Sequence, residues 1–417
     1  MPDRLATTAK LTRSALLLLL VSVTPAALAI EYVYEVRYSV SVKADEAWVD
    51  VQLDLDQPRD IVRELRFRVD DERYRGFEGN GTITTKGRYV RWTPTQTGGQ
   101  IRWQVNVESR RGNGAFDGLM TPDWAVFRGD DLVPPVFTRS LKGGRAQARL
   151  VFDLPRDWSV ITPYERNDKG EFLVVHEDRN FDRPVGWMAI GKLGVRWATV
   201  ADTQVAVAGP IGQGLRRQDI LAFLRWTVPT LKDIFDTTPD RLLIVGAGDP
   251  MWRGGLSGPS SLYLHADRPL ISENGTSTLL HELVHVASSI RAEPGADWIV
   301  EGLAEFYALE ILVRSGTTSP RRHRMSVEDV AEWGKMADDL FVSDASAEVT
   351  ARAVVILQAV DEEIRTGSKA THSLDDVVRA LSREGAVSYD RFRELADEYA
   401  GRTVKVLKPS RLPGDPE

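Results

Sequence analysis

Residues 278–310 read TLLHELVHVASSIRAEPGADWIVEGLAEFYALE. His281 and His285 stand four apart with Glu282 beside the first, an H-E-x-x-H pattern. On a helix, residues four apart lie about 40° apart around the axis, so both imidazoles can meet one ion. Glu282, one step on, can reach a molecule in the ion's open position without binding the ion itself. Leu283 and Val284 turn toward the core and hold the helix down. The apolar residues around the histidines count against a plain solvated helix. The Asn274-Gly275 turn, followed by Thr276 and Ser277, supplies the expected start and cap.

Hydrolytic zinc takes three protein ligands and keeps one position open. The chain has only six histidines, and Glu301 follows His285 after 15 intervening residues. Glu301 and Glu305 share a face of a second predicted helix, among Trp298, Ile299, Val300, Leu303, Phe306 and Tyr307. Two carboxylates in so apolar a helix are costly unless a cation meets them. AEPGA supplies the turn between the helices, and Gly302 is expected to let them approach closely.

Upstream, residues 31–200 alternate at period two between turn signals. YVYEVRYSVSV, AWVDVQLDL, ELRFRV, YVRWTP, QIRWQVNVE and AQARLVFDL all read as strands. Many short strands at this spacing predict an antiparallel β-sandwich. After TQVAVAGP the pattern changes. RRQDILAFLRWTVPTLKDIFD has helical spacing, with Pro229 expected to kink or split it. RLLIVGA and SSLYLHA read as short buried strands, and three or four further helices follow the 278–310 pair.

The first 29 residues read differently. Arg4, Lys10 and Arg13 precede the apolar run SALLLLLVSV, and Ala27 and Ala29 occupy the small-residue positions of a cleavage site. This pattern predicts a signal peptide and a periplasmic or secreted product, because the apolar run is short for a membrane span. No second long apolar run is present, so no membrane span is expected after cleavage. The absence of cysteine excludes disulfides, thiolate ligands and cysteine nucleophiles, which suits a bacterial periplasm. Removing residues 1–29, with three basic residues and one acid, takes the formal charge from −7 to −9. That balance excludes a nucleic-acid partner and leaves a peptide or protein as the expected one. The expected divisions are a β-sandwich over 30–200, a catalytic domain over 201–315, a helical domain over 316–405 and a disordered tail over 406–417.

Two histidines, a base and a downstream helical glutamate resemble the gluzincin metallopeptidases. WIVEGLAEF is similar to the W-x-x-E-G-x-A-E-Y signature of the peptidase-MA-like members. More weakly, LMTPDWAVFRGDDLVPPVF, ITPYERNDKGEFLVVHEDRNFDRPVGWMAIGKL and DEEIRTGSKATHSLDDVVRAL resemble the glycyl-aminopeptidase (M61-type) branch. The resemblance implies an α+β fold, with the β-sandwich preceding a thermolysin-like domain and a helical domain. It implies Zn2+ held by His281, His285 and Glu301, with Glu282 as general base. Glu305, one turn past Glu301, is the candidate acceptor for a ligand imidazole N–H, and an ordinary salt-bridged glutamate is the plainer reading.

The resemblance also implies an edge strand across the cleft, for which GGLSGPSSLYLHA is the candidate. As a strand it places Ser261, Tyr263 and His265 on one face, with Tyr263 toward substrate. Neither a glutamate before that strand nor a late tyrosine donor for an oxyanion is found. Thr350 stands at the tyrosine's place. His265 is then the expected replacement and Arg352 the second choice, while Tyr307 points elsewhere on its helix. A metal-keeping binding or chaperone-like protein, and an enzyme acting on cell-wall peptide, are the competing readings.

Overall fold

The computed structural model describes residues 32–414, apart from residues 44, 45, 47, 176–180 and 237. The export signal expected over 1–29 lies outside the described residues. Among those described, no helix is long and apolar enough to cross a membrane.

The first half is β-rich because its strands alternate. Along Tyr32–Ser41, Tyr34, Val36, Tyr38 and Val40 face inward and the residues between them face out. Trp48–Asp56 does the same with Val49, Val51, Leu53 and Leu55. These strands belong to a seven-stranded sheet that shares a core with a four-stranded one. Buried Trp103 and Trp92 in that core donate their ring N–H to the carbonyls of Leu132 and Asn80, at 3.0 and 2.7 Å. The sandwich is not purely antiparallel: Tyr32–Ser41 runs parallel to Gly144–Asp153, whereas its other neighbour is antiparallel.

A third N-terminal sheet, centred on Trp124–Arg128 and Trp187–Gly191, is the floor on which the second half of the chain is built. Over it lies a five-stranded mixed sheet, in the order Leu193–Val200, Thr203–Pro210, Arg241–Val245, Ser261–Leu264, Gly255–Gly258. The three inner strands are mutually parallel and the two outer ones antiparallel. One face packs Ala206, Ala208, Leu243, Val245 and Tyr263 on the third sheet. The other face packs Val205, Val207, Ile244, Leu262 and Leu264 on helices.

The expected boundary at residue 200 therefore falls inside a hairpin. Leu193–Val200 pairs with Thr203–Pro210 through Ala201 and Asp202, both at positive φ, so the break lies near Lys192. Asn-Gly or Asp-Gly is the usual marker of such a turn, and Ala-Asp conceals it.

Seven α-helices complete the described residues: α1 Arg217–Phe235, α2 Thr278–Ser288, α3 Asp297–Arg314, α4 Pro320–Gly334, α5 Ala347–Gly367, α6 Leu374–Glu384 and α7 Tyr389–Ala400. Pro229 sits inside one continuous α1 and does not split it. Gly302 of α3 faces α5, not α2: a Cβ there would lie 2.4 Å from that of Ala353. The segment expected as a disordered tail is folded as far as Gly414. The Lys405 and Val406 amides donate to the Glu363 carboxylate at 2.8 and 3.0 Å, and Leu407 is fully buried.

Candidate metal centre

Helix α2 starts where Ser277 Oγ accepts the Leu280 amide N–H at 3.3 Å. Leu279, Leu280, Leu283 and Val284 are buried beneath it. That packing fixes the helix's rotation and leaves His281 and His285 on the partly open side. Helix α3 is anchored at its start by Asp297, whose carboxylate accepts the Ala345 N–H at 2.7 Å. With Trp298 and Ile299 wholly buried, Glu301 and Glu305 are turned toward the histidines.

The four side chains form one cluster. His281 Nε2 lies 3.2 Å from His285 Nε2 and 3.2 Å from Glu301 Oε2, and His285 Nε2 lies 3.4 Å from Glu301 Oε1. Among the described residues, His281, His285 and Glu301 are the only group of histidine or acidic side chains able to hold a metal together. Donors about 2.1 Å from a tetrahedral zinc stand roughly 3.4 Å apart, so the spacing suits that ion. The chemistry agrees. His281 Nδ1 is 3.0 Å from Glu305 Oε2, so that nitrogen keeps a proton for Glu305 and Nε2, beside the Glu301 oxygen and the other imidazole, is the one left to bind an ion. Two imidazoles and a carboxylate converging on one point call for a positive charge, either a metal ion or a proton.

The protonation equilibria carry the same strain. Burial pushes the His281 pKa down, but bonds to Glu301 and Glu305 win and hold it well above the ordinary histidine value. Burial pushes Glu301 up, and the two histidines more than reverse that, leaving it well below the carboxylate range. Glu282 is 8 % exposed and binds neither histidine; burial raises its pKa, opposed by the nearby His281 and His285.

His281, Glu282, Glu301 and Glu305 line a cleft of about 470 Å³, together with Trp252, Gly255, Arg268, Thr278, Trp333 and Thr350. The edge strand of the five-stranded sheet reaches its wall at Gly255, with its Ser257 carbonyl held by Arg128. That edge is Gly255–Gly258, not Ser261–Leu264, because GGLSGPSSLYLHA folds as a hairpin with the second strand inside. A Cβ at Gly255 would lie 2.7 Å from Glu282 Cγ and 2.8 Å from Thr278 Cγ2, so only glycine lets the edge strand this close to α2.

Two expected site residues are not brought here. Tyr263 is wholly buried on the face opposite the helices, its ring 5.2 Å from that of Trp187 and its hydroxyl donating to Trp252 O at 3.0 Å. Strand alternation decides this: Leu262 and Leu264 take the helix side, so Tyr263 takes the other. His265 is 1 % exposed and does not line the cleft. Its Nδ1 accepts the Asp267 N–H at 3.2 Å, its carbonyl accepts the Arg268 N–H, and Nε2 faces Asp249 Oδ1 at 3.5 Å. Burial lowers its pKa. It ties down a turn. Arg352 is also absent from the lining, whereas Thr350 is in it. Tyr307 is wholly buried and donates its hydroxyl to Asp375 Oδ1 at 3.1 Å. Sequence reasoning missed Trp252, Arg268 and Trp333, which come from loops and from α4 and share no spacing with the motif.

No protein-family profile and no curated protein matches the sequence. Solved structures do match in fold. An aminopeptidase N family protein from Idiomarina loihiensis superposes with a TM-score of 0.69 at 14 % identity, covering 91 % of this chain and 76 % of its own. An M1 zinc metallopeptidase from Deinococcus radiodurans gives 0.57 at 16 % identity, with 93 % and 96 % covered. The architecture is that of the M1 aminopeptidases. The native yeast LTA4 hydrolase gives 0.56 at 12 % identity, covering 90 % of this chain and 66 % of its own. The β-rich N-terminal half and helical C-terminal half thus share the fold of these solved structures, the α+β arrangement expected from the sequence.

Proposed function

We propose that the chain is an exported zinc-dependent metallopeptidase hydrolysing peptide bonds. The observation that carries this reading is the triangle of His281 Nε2, His285 Nε2 and a Glu301 oxygen at 3.2–3.4 Å, oriented by Glu305 and opening into a cleft. Those three side chains would hold the ion. Zinc supplies Lewis acidity there, acidifying water and polarising a carbonyl. Glu282, on the cleft wall, takes a proton from the attacking water and returns it to the leaving amine. The edge strand offers main-chain hydrogen bonds to an extended peptide at Gly255, which lines the cleft next to Glu282, while the Ser257 carbonyl is already held by Arg128. The outer sequence resemblance places the chain beside the glycyl-aminopeptidase branch, and the first 29 residues support export to the periplasm.

A second reading has its own support. No tyrosine lines the cleft among the described residues, and Thr350 stands where the resemblance expects one. A protein without that donor loses roughly 3–4 kcal/mol of transition-state stabilisation. It would be a weakly catalytic or non-catalytic zinc-containing binding protein of the cell envelope.

Elemental analysis of the purified protein tests the common part of both readings. One zinc per chain is expected, lost in His281→Ala and in Glu301→Ala because two remaining ligands hold zinc poorly. Protein that carries no zinc and takes none up from micromolar solution contradicts both.

A further inference from the structure

The charges lining the cleft are unequal in availability. Its acids are Glu282, Glu301 and Glu305. Glu301 and Glu305 are both bonded to His281, and Glu282 is nearly buried beneath the edge strand. A free α-amine of a substrate therefore meets no uncommitted carboxylate among the described lining residues. Its one lysine or arginine is Arg268, in the loop between Ser261–Leu264 and α2.

Arg268 is positioned and uncommitted. Its Nε donates to Arg253 O at 2.7 Å, and its backbone N–H donates to the carbonyl of His265, the buried anchor of that turn. Its two terminal nitrogens form no hydrogen bond or ion pair among the described residues. The nearby acids are engaged elsewhere, since Asp249 and Asp267 both pair with Arg253. Asn274 lines the cleft as well. Asn274 Oδ1 accepts from the hydroxyls of Ser272 and Thr276, the latter at 3.2 Å, and its amide NH2 has no hydrogen-bond partner among the described residues. A guanidinium fork and an amide NH2 lining one cleft are a donor set for a carboxylate, which Arg binds through two parallel bonds.

We propose that the cleft selects peptides through a carboxylate seated on Arg268 and Asn274, and not through a free N-terminal amine. The inference rests on the peptidase reading for its substrate class. The carboxylate is either the peptide's C-terminus or an aspartate or glutamate side chain, and the test separates the two.

Binding is measured by calorimetry on zinc-loaded Glu282→Gln protein, so that no hydrolysis is needed, with cleavage by the wild type followed in parallel. The probes are one short acidic peptide and its N-acetylated, C-amidated and Asp/Glu-to-Asn/Gln forms. Acetylation is expected to change affinity less than threefold. Amidation or side-chain neutralisation, whichever removes the seated group, is expected to weaken binding at least tenfold. Adding Arg268→Ala to that protein should erase the difference, and Arg268→Lys should restore part of it. An acetylation penalty above tenfold, an undiminished carboxylate preference in the alanine variant, or no binding at millimolar peptide would each overturn the proposal. Carboxylate-dependent binding with no cleavage by the wild type would uphold it and count against hydrolysis alone.

Discussion

Glu305 Oε2 lies 3.0 Å from His281 Nδ1, and the other nitrogen of the same ring lies 3.2 Å from Glu301 Oε2. One imidazole is thus held between two carboxylates a single turn apart on α3, one orienting it and one sharing its metal-facing side. Removing the orienting partner frees the ring to rotate. Glu305→Ala is expected to weaken zinc binding about 10–100-fold, read by competition with a chromogenic chelator. Glu305→Gln, which keeps an acceptor oxygen, should lose less. Equal affinity in all three proteins would leave Glu305 without that role.

Gly255→Ala tests how closely the edge strand must approach. The new methyl would meet Glu282 Cγ and Thr278 Cγ2 at under 3 Å, and neither belongs to the far end of a flexible side chain. Overpacking of this kind costs about 1–3 kcal/mol, relieved by moving the strand or the carboxylate. Hydrolysis should fall at least tenfold while zinc content stays full. A variant as active as the wild type shows that the strand edge and Glu282 are not coupled.

His265 and Tyr263 are expected to matter for stability and not for chemistry. His265→Ala removes a buried acceptor of the Asp267 N–H, and Tyr263→Phe removes a buried donor to Trp252 O. Each should lower unfolding free energy by about 1–3 kcal/mol in urea titrations. Turnover on a peptide lacking carboxylates should stay within threefold per folded molecule. A thirtyfold loss for His265→Ala at full zinc content would return that residue to the mechanism.

A cluster remote from the cleft gives a pH prediction. Arg314 of α3 donates to Glu310 at 2.8 Å and to Asp375 of α6 at 2.7 Å. Burial raises the Glu310 pKa, but His323 and Arg314 outweigh it and leave the carboxyl below its ordinary value. A depressed folded pKa contributes stability that is present above the unfolded value, about 4.3, and is lost as pH falls through the folded one. Wild-type protein should therefore lose stability as pH falls below the ordinary carboxylate range. Arg314→Leu should be less stable at pH 7 and show a shallower loss over the same fall in pH. An unchanged pH slope in the variant removes Arg314 from the linkage.

The features legible in the sequence are those that local chemistry decides. Ser277 caps α2 because a hydroxyl before an apolar helical run has few other uses. The four-residue spacing of His281 and His285 needs only helix geometry to bring the rings together. Alternation in Tyr32–Ser41 is a property of a half-buried strand. The hidden features depend on layers that are distant in sequence. A strand has two faces, and only the third N-terminal sheet determines which one Tyr263 takes. Gly302 stands nearer in sequence to α2, while its contact is Ala353, some fifty residues on. The segment from 406 reads as a disordered tail until Glu363 is seen to hold the Lys405 and Val406 amides at its start.

Hydrolysis by Glu282→Gln protein is the most direct test of the central claim that this cleft does chemistry. The variant and the wild type are both loaded to one zinc per chain, matched for folding by circular dichroism, and assayed on a peptide library by mass spectrometry. A zinc peptidase using Glu282 as base is expected to cleave in the wild type and to slow at least about a hundredfold in the variant. Equal cleavage rates at equal zinc content, or no cleavage by fully loaded wild type, contradict it.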